Sequence, residues 1–203
     1  MTEDGAKAWI ADRYGTEKLE RLAAYVRLLL AGNASQNLIS RATESAIWVR
    51  HILDSAQLLR FAPDAGEWLD VGSGPGLPGV VLAILSDRPV LMVEPRRRRV
   101  EFLDVAKADL SLDNATIQPS AVEKLSGRKF GAVTARAYAA LAQILSSTYP
   151  LTVSSTIWVL PKGRSADREL VDVRQSWQGT FHVEQSLTND EAHIIVATGV
   201  KPR

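Results

Sequence analysis

Trp68-Leu69-Asp70-Val71-Gly72-Ser73-Gly74-Pro75-Gly76-Leu77-Pro78-Gly79 places a short apolar strand directly before a glycine-rich turn. The apolar run from Leu77 to Leu85 predicts that a helix follows. Strand, glycine turn and helix bring backbone amides close to a ligand, because glycine carries no side chain and tolerates positive φ. Gly74, Gly76 and Gly79 also fit Gly-x-Gly-x-x-Gly, a spacing shared with dinucleotide sites, so the glycines alone leave the ligand open. Two acids narrow the choice. Asp70 lies two residues before Gly72, where a carboxylate repels a pyrophosphate but attracts the ammonium group of a methionine moiety. Glu94 ends the next strand, close to the spacing of roughly 20 residues at which an acid meets ribose hydroxyls. The pair favours S-adenosylmethionine (AdoMet) over a nicotinamide cofactor, with Gly72, Gly74, Gly76 and Leu77 forming the turn around it.

Outward from the turn, β-rich runs alternate with helical stretches, the pattern of a doubly wound parallel sheet. Strands are predicted at 67–71, 90–94, 115–118, 132–135 and 156–160. Two further strands, 181–185 and 193–197, are joined by Ser186-Leu-Thr-Asn-Asp190, too short for a crossover helix. The expected fold is therefore α/β: a Rossmann-like class I AdoMet-dependent methyltransferase, its seven-stranded, mostly parallel sheet closed by a C-terminal antiparallel hairpin. Upstream, Leu19, Leu22, Ala23, Val26, Leu29 and Leu30 recur at helical spacing, with Gly32-Asn33 as a stop signal. A second helix is expected from about Thr43 to Leu59, ending before Pro63. Residues 1–62 would form an N-terminal helical cap and residues 63–203 the methyltransferase domain, the two packed as one unit.

Composition sets outer bounds. The 203 residues are 46% hydrophobic and 23% charged, the balance of a globular protein, and no apolar run approaches the roughly 20 residues of a membrane helix. The N-terminus lacks a basic-then-apolar export signal, which makes the cytoplasm the expected compartment. A net charge of +1 provides no global basic field, so any RNA contact must use a local patch. The chain contains no cysteine, which excludes disulfides, thiolate metal sites and a cysteine nucleophile. No metal is expected, and a monomer is.

The missing cysteine bears on the acceptor. Methyl transfer from a sulfonium is a direct displacement that needs alignment and exclusion of water more than it needs catalytic side chains, and none is assigned here. Carbon-5 methylation of pyrimidines ordinarily uses a cysteine, so that class is excluded. Methylation of exocyclic amines usually relies on Asn/Asp-Pro-Pro-aromatic after the fourth strand, where this chain reads Thr134-Ala-Arg-Ala137. A nucleophile with an available lone pair, such as guanine N7, requires no base and suits this sparse set. Arg136, at the carboxyl edge of that strand, can pair with AdoMet's carboxylate, with Glu123 or with an RNA phosphate. Glu123 follows the third strand, where it can orient adenine or stand as an exposed helical acid.

These residues resemble the RsmG family, also called glucose-inhibited division protein B, which methylates guanine N7 in 16S ribosomal RNA. The resemblance runs from Asn37 to Gly163 through Asn37-Leu38, Arg50-His-Ile-Leu-Asp-Ser55, Asp70 to Gly79, Arg98-Arg-Val-Glu-Phe-Leu103, Arg136-Ala137 and Lys162-Gly163. The glycine loop alone marks the superfamily; its prolines, joined to the upstream Arg-His-x-x-Asp-Ser, are more specific. The resemblance implies that Gly72, Leu77, Val122, Glu123 and Arg136 contact AdoMet, and that 16S rRNA or the small ribosomal subunit is the partner. Where many members carry a Lys-Arg pair, this chain has Arg96-Arg-Arg-Arg99, and the segment Ser120-Ala-Val-Glu123 lacks the arginine often found before the pair that contacts adenine.

Asn37, Arg50, His51, Arg136 and Lys162 are thus expected around the guanine entrance, with Arg96 and Arg97 facing RNA phosphates. His51 and Asp54, at i,i+3 on the second helix, are expected to hydrogen-bond. The alternative is a methyltransferase acting on a small molecule or another RNA.

Overall fold

The computed structural model describes residues 1–203. The strands are β1 (Trp68–Val71), β2 (Val90–Val93), β3 (Ala115–Gln118), β4 (Phe130–Thr134), β5 (Thr152–Lys162), β6 (Trp177–Gln185) and β7 (His193–Pro202). They form one seven-stranded sheet in the order β3-β2-β1-β4-β5-β7-β6. β7 is antiparallel to both of its neighbours, while the pairs from β3 through β5 are parallel. The strand order reverses between β1 and β4, and an open α/β sheet opens its ligand crevice at the carboxyl ends of such a switch point.

β1 and β2 are buried along their whole length, which is why they read as apolar runs rather than alternating ones. On one face α4 (Gly79–Leu85) is buried at every residue. A hydrophobic cluster of 36 residues joins it to N-terminal Ile10, Leu22, Tyr25, Ile52 and Leu58 and to Trp68, Met92 and Val159 of the sheet. A second cluster of 21 residues covers the other face, under α6 (Leu141–Thr148) and α7 (Ala166–Val173). α5 (Arg97–Asp109) links β2 to β3.

The N-terminal helices depart from expectation in three respects. A helix not anticipated, α1 (Glu3–Tyr14), precedes the others; the Thr2 hydroxyl accepts a bond from the Gly5 amide, and Gly15, at φ 86°, ends it. α2 (Thr16–Gln36) passes through Gly32-Asn33 instead of stopping there. Gly32 is a point of close approach, since a methyl group on it would fall within 2.7 Å of Leu38 Cδ1 and 2.9 Å of Phe102 Cε2. Asn33 is buried, and its amide oxygen accepts the Ile39 amide at 2.8 Å. The helix ends instead at Asn37, which adopts the left-handed conformation at φ 49°.

The expected regular helix from 43 to 59 is a chain of mixed turns: 3-10 over Arg41–Ala46, π over Trp48–Leu53, α over Asp54–Ala56 (α3) and 3-10 over Gln57–Phe61. Glu3 of α1 supplies part of the reason. Its carboxylate accepts the amides of Trp48 and Val49 at 3.0 and 2.9 Å, satisfying donors where the turns change pitch.

Candidate active site

The glycine turn is held from three sides. Gly72, Gly74 and Gly76 have φ of 67°, 57° and 98°, conformations that favour glycine. Gly72 and Gly74 remain partly open. Gly76 is buried against the protein, where an added methyl would meet Val80 Cγ2 at 2.3 Å, so it is placed for packing within the turn. From below, Asp70 Oδ2 accepts the Gly79 amide at 3.0 Å at the start of α4. From the side, Glu94 Oε2 accepts the Gly74 amide at 2.8 Å. From α2, the buried Tyr25 donates its hydroxyl to the Pro75 carbonyl at 2.9 Å.

Asp70 and Glu94 are both fully buried. Burial pushes the Asp70 carboxyl up to about 7, against the opposing pull of its hydrogen bonds and Arg136, and its Oδ1 has no partner. A buried carboxylate with an orphaned oxygen is the chemistry that a cationic ammonium group completes. Glu94 uses both oxygens at the base of the turn, since Oε1 accepts the Arg96 amide at 2.9 Å and lies 3.3 Å from Arg96 Nε. Each carboxylate oxygen retains a second lone pair, so acceptance of ribose hydroxyls is compatible with these bonds. On these two observations the donor set fits AdoMet. Val122 is buried and Glu123 exposed on the 3-10 turn Val122–Lys124 after β3.

Beside the turn lies a cavity of about 640 Å³ whose lining includes Thr43, Arg50, His51, Arg136, Lys162 and His193. Four of the residues expected around the acceptor are therefore brought together, although two are less free than expected. Arg136 Nη1 approaches His51 Nδ1 at 3.2 Å and Asp54 Oδ2 at 3.7 Å, with Nε 3.4 Å from the Leu77 carbonyl. Of the open pairings for Arg136, Glu123 is not the one adopted. Lys162 is anchored, donating to Glu169 Oε2 at 2.8 Å and to the Ala139 carbonyl at 2.9 Å. Burial works against the Glu169 charge, but bonds from Lys162, Ser165 and the Leu141 amide outweigh it and hold its carboxyl below the ordinary range.

The expected His51–Asp54 bond is replaced by two separate networks. His51 Nε2 lies 2.8 Å from Thr43 Oγ1, and Thr43 donates to the Ser40 carbonyl. With Arg136 donating to Nδ1, the proton of a neutral ring resides on Nε2 and points to Thr43. Burial and then the positive charges of Arg136 and Arg50 lower the His51 pKa to about 4, so the ring is neutral at physiological pH. Asp54 turns to the C-terminal hairpin, its Oδ1 accepting Thr188 Oγ1 at 3.0 Å and Gln57 Nε2 at 3.1 Å. The π turn over Trp48–Leu53 accounts for the failed i,i+3 expectation, because it changes the angular offset between the two side chains.

Asn37 is exposed, and its carbonyl accepts Arg99 Nη2 at 2.8 Å. Arg96 is tied to Glu94 and Arg97 to Glu101 at 2.7 Å, but both side chains remain largely exposed. Cavity residues that escaped the sequence reading include Thr43, Tyr138, Glu169, Thr188 and His193. Thr188 and His193 lie far along the chain from the glycine turn, and nothing in their local pattern announces the site. Tyr138 was within reach of inspection, two residues beyond Arg136 at the same strand edge.

Fold and site together define a class I AdoMet-dependent methyltransferase. The model of the GidB family, described as rRNA small subunit methyltransferase G, matches residues 18–195, and the chain belongs to this family. The chain is 45% identical over 201 residues to the ribosomal RNA small subunit methyltransferase G of Sphingopyxis alaskensis, covering 97% of this chain and 86% of that one. It is 46% identical over 201 residues to the protein of the same name from Erythrobacter litoralis, covering 98% and 97%. Among solved structures, the glycopeptide N-methyltransferase MtfA complexed with S-adenosyl-L-methionine shares the fold, with a TM-score of 0.60 at 12% identity over 73% of this chain and 94% of that one.

Proposed function

We propose that this protein transfers the methyl group of AdoMet to N7 of a guanine in 16S rRNA of the small ribosomal subunit. The observation that carries the reading is the cavity lined by Arg50, His51 and Arg136, which adjoins the glycine turn through Arg136 and the Leu77 carbonyl. AdoMet supplies an electrophilic methyl group on a sulfonium centre. The chain's residues bind and orient: Gly72 and Gly74 open the turn, Asp70 receives the ammonium group, Glu94 the ribose, and Val122 and Glu123 border the adenine. N7 already carries its lone pair, so no proton is abstracted, which agrees with a His51 that is neutral and engaged at both ring nitrogens.

Arg136 is neutralised by Asp54, so the guanine acquires its positive charge beside an ion pair rather than beside an isolated cation. Arg50, Arg96 and Arg97 are exposed cations suited to phosphates flanking the target base. In this reading residues 1–62 form the cap and 63–203 the methyltransferase domain, packed as one unit and acting as a cytoplasmic monomer. No helix is long and apolar enough to cross a membrane.

Chemical cleavage at 7-methylguanine, mapped along 16S rRNA from strains with and without the gene, tests the proposal. A cleavage site that disappears on deletion and returns with the intact gene is the expected result. A methylation pattern unaltered by deletion refutes it.

A further inference from the structure

Tyr138 stands between the two halves of the site. Its ring covers Gly72 so closely that a methyl group there would lie 2.4 Å from Tyr138 Cδ2. The phenol is raised by burial and then by the negative charges of Glu123 and Glu94, which places its hydroxyl in the field of both acids. Gly72, Glu94 and Glu123 are the residues read as holding the methionine, ribose and adenine parts of the cofactor. The same Tyr138 also lines the adjoining cavity. It follows Ala137, a non-glycine residue at φ 50°, and strained residues in this left-handed region recur at switch segments.

We infer that Tyr138 is a two-position side chain, seated over the glycine turn in the free protein and displaced into the acceptor cavity when AdoMet enters, where its ring becomes a stacking face for the target base. The inference rests on the cofactor assignment proposed above. Cofactor binding would then build part of the acceptor site, and the order of binding would be AdoMet first and RNA second. A ring that occupies the cleft nine-tenths of the time reduces apparent cofactor affinity about tenfold. An aromatic face under an unstacked base is worth about ten- to a hundredfold in affinity for it.

Titration calorimetry with AdoMet and methylation kinetics on small subunits, using the full chain, separate the two positions. Tyr138→Ala is expected to bind AdoMet about tenfold more tightly yet to show a KM for RNA raised at least tenfold. Tyr138→Phe, which retains the ring, is expected to reverse both effects. In protein labelled with 3-fluorotyrosine, AdoMet should shift the resonance that Tyr138→Phe removes more than any other. Unchanged or weakened AdoMet affinity in Tyr138→Ala, or a stationary resonance, overturns the inference. Glu94→Ala provides the control: if it also leaves AdoMet binding intact, the cofactor assignment itself fails, whereas loss of binding there confines the failure to Tyr138.

Discussion

His51 Nδ1 and Arg136 Nη1 lie 3.2 Å apart, joining the irregular N-terminal helical run to the end of β4 across the acceptor cavity. The contact requires a ring that stays neutral, because a protonated imidazole would present a donor to a donor. The cavity is therefore sensitive to pH through a residue that takes no proton from substrate.

Two buried groups set the pH dependence of stability in opposite directions. The folded pKa of His51, about 4, lies below its ordinary 6.5, so its contribution is present above pH 6.5 and lost as pH falls toward 4. The folded pKa of Asp70, about 7, lies above its ordinary 3.8; the unfolded chain ionises first as pH rises, and stability falls between those values. The wild type should thus vary little from pH 4 to 7, whereas Asp70→Asn should gain stability steadily over that interval. Urea unfolding at both ends of the range checks this, and identical profiles for the two proteins would contradict it.

Asp70→Asn also bears on the cofactor. Wild-type affinity for AdoMet should strengthen as pH rises toward 7 and the carboxyl ionises, while the variant should lack this dependence and bind at least tenfold more weakly at pH 8. Calorimetry across the pH series measures both.

Lys162→Ala should destabilise the fold by about 3 kcal/mol, the lower end of the range for breaking a buried pair, because Glu169 retains some contact with solvent. Loss of the bond to the Ala139 carbonyl should also raise the KM for RNA more than it alters AdoMet affinity. Denaturant midpoints and steady-state kinetics resolve the two effects.

Gly79→Ala should cost about 3 kcal/mol or more. The new methyl would meet Asp70 Oδ2 and Met92 Cγ, each at 2.5 Å, in a strand-to-helix junction with no room to relax. A thermal midpoint close to that of the wild type would show that the junction yields more readily than its packing implies.

The sheet was legible because buried parallel strands leave continuous apolar runs, as at Trp68–Val71 and Val90–Val93, and because a loop as short as Ser186 to Asp190 admits only a hairpin. The glycine turn and its acids were legible for the same reason: their chemistry is local in sequence. The partners of Arg136 were not, since Asp54, His51 and the Leu77 carbonyl approach it from separate elements. The π turn also escaped, because part of its reason lies in Glu3, some forty-five residues upstream, whose carboxylate accepts the Trp48 and Val49 amides. The anchoring of Lys162, expected at the guanine entrance, escaped as well, because nothing near it in the chain revealed that Glu169 would fold back from α7.

The hairpin between β6 and β7 reaches the N-terminal helical run through Gln57, which accepts the Leu187 amide and donates to Ser186, and it supplies Thr188 and His193 to the cavity wall. Both residues lie downstream of the glycine turn, Glu94 and Arg136 in the chain, and so are made after them. A growing chain therefore makes the residues of its cofactor cleft before those of the hairpin wall, and the acceptor side is the later half of the site to be closed.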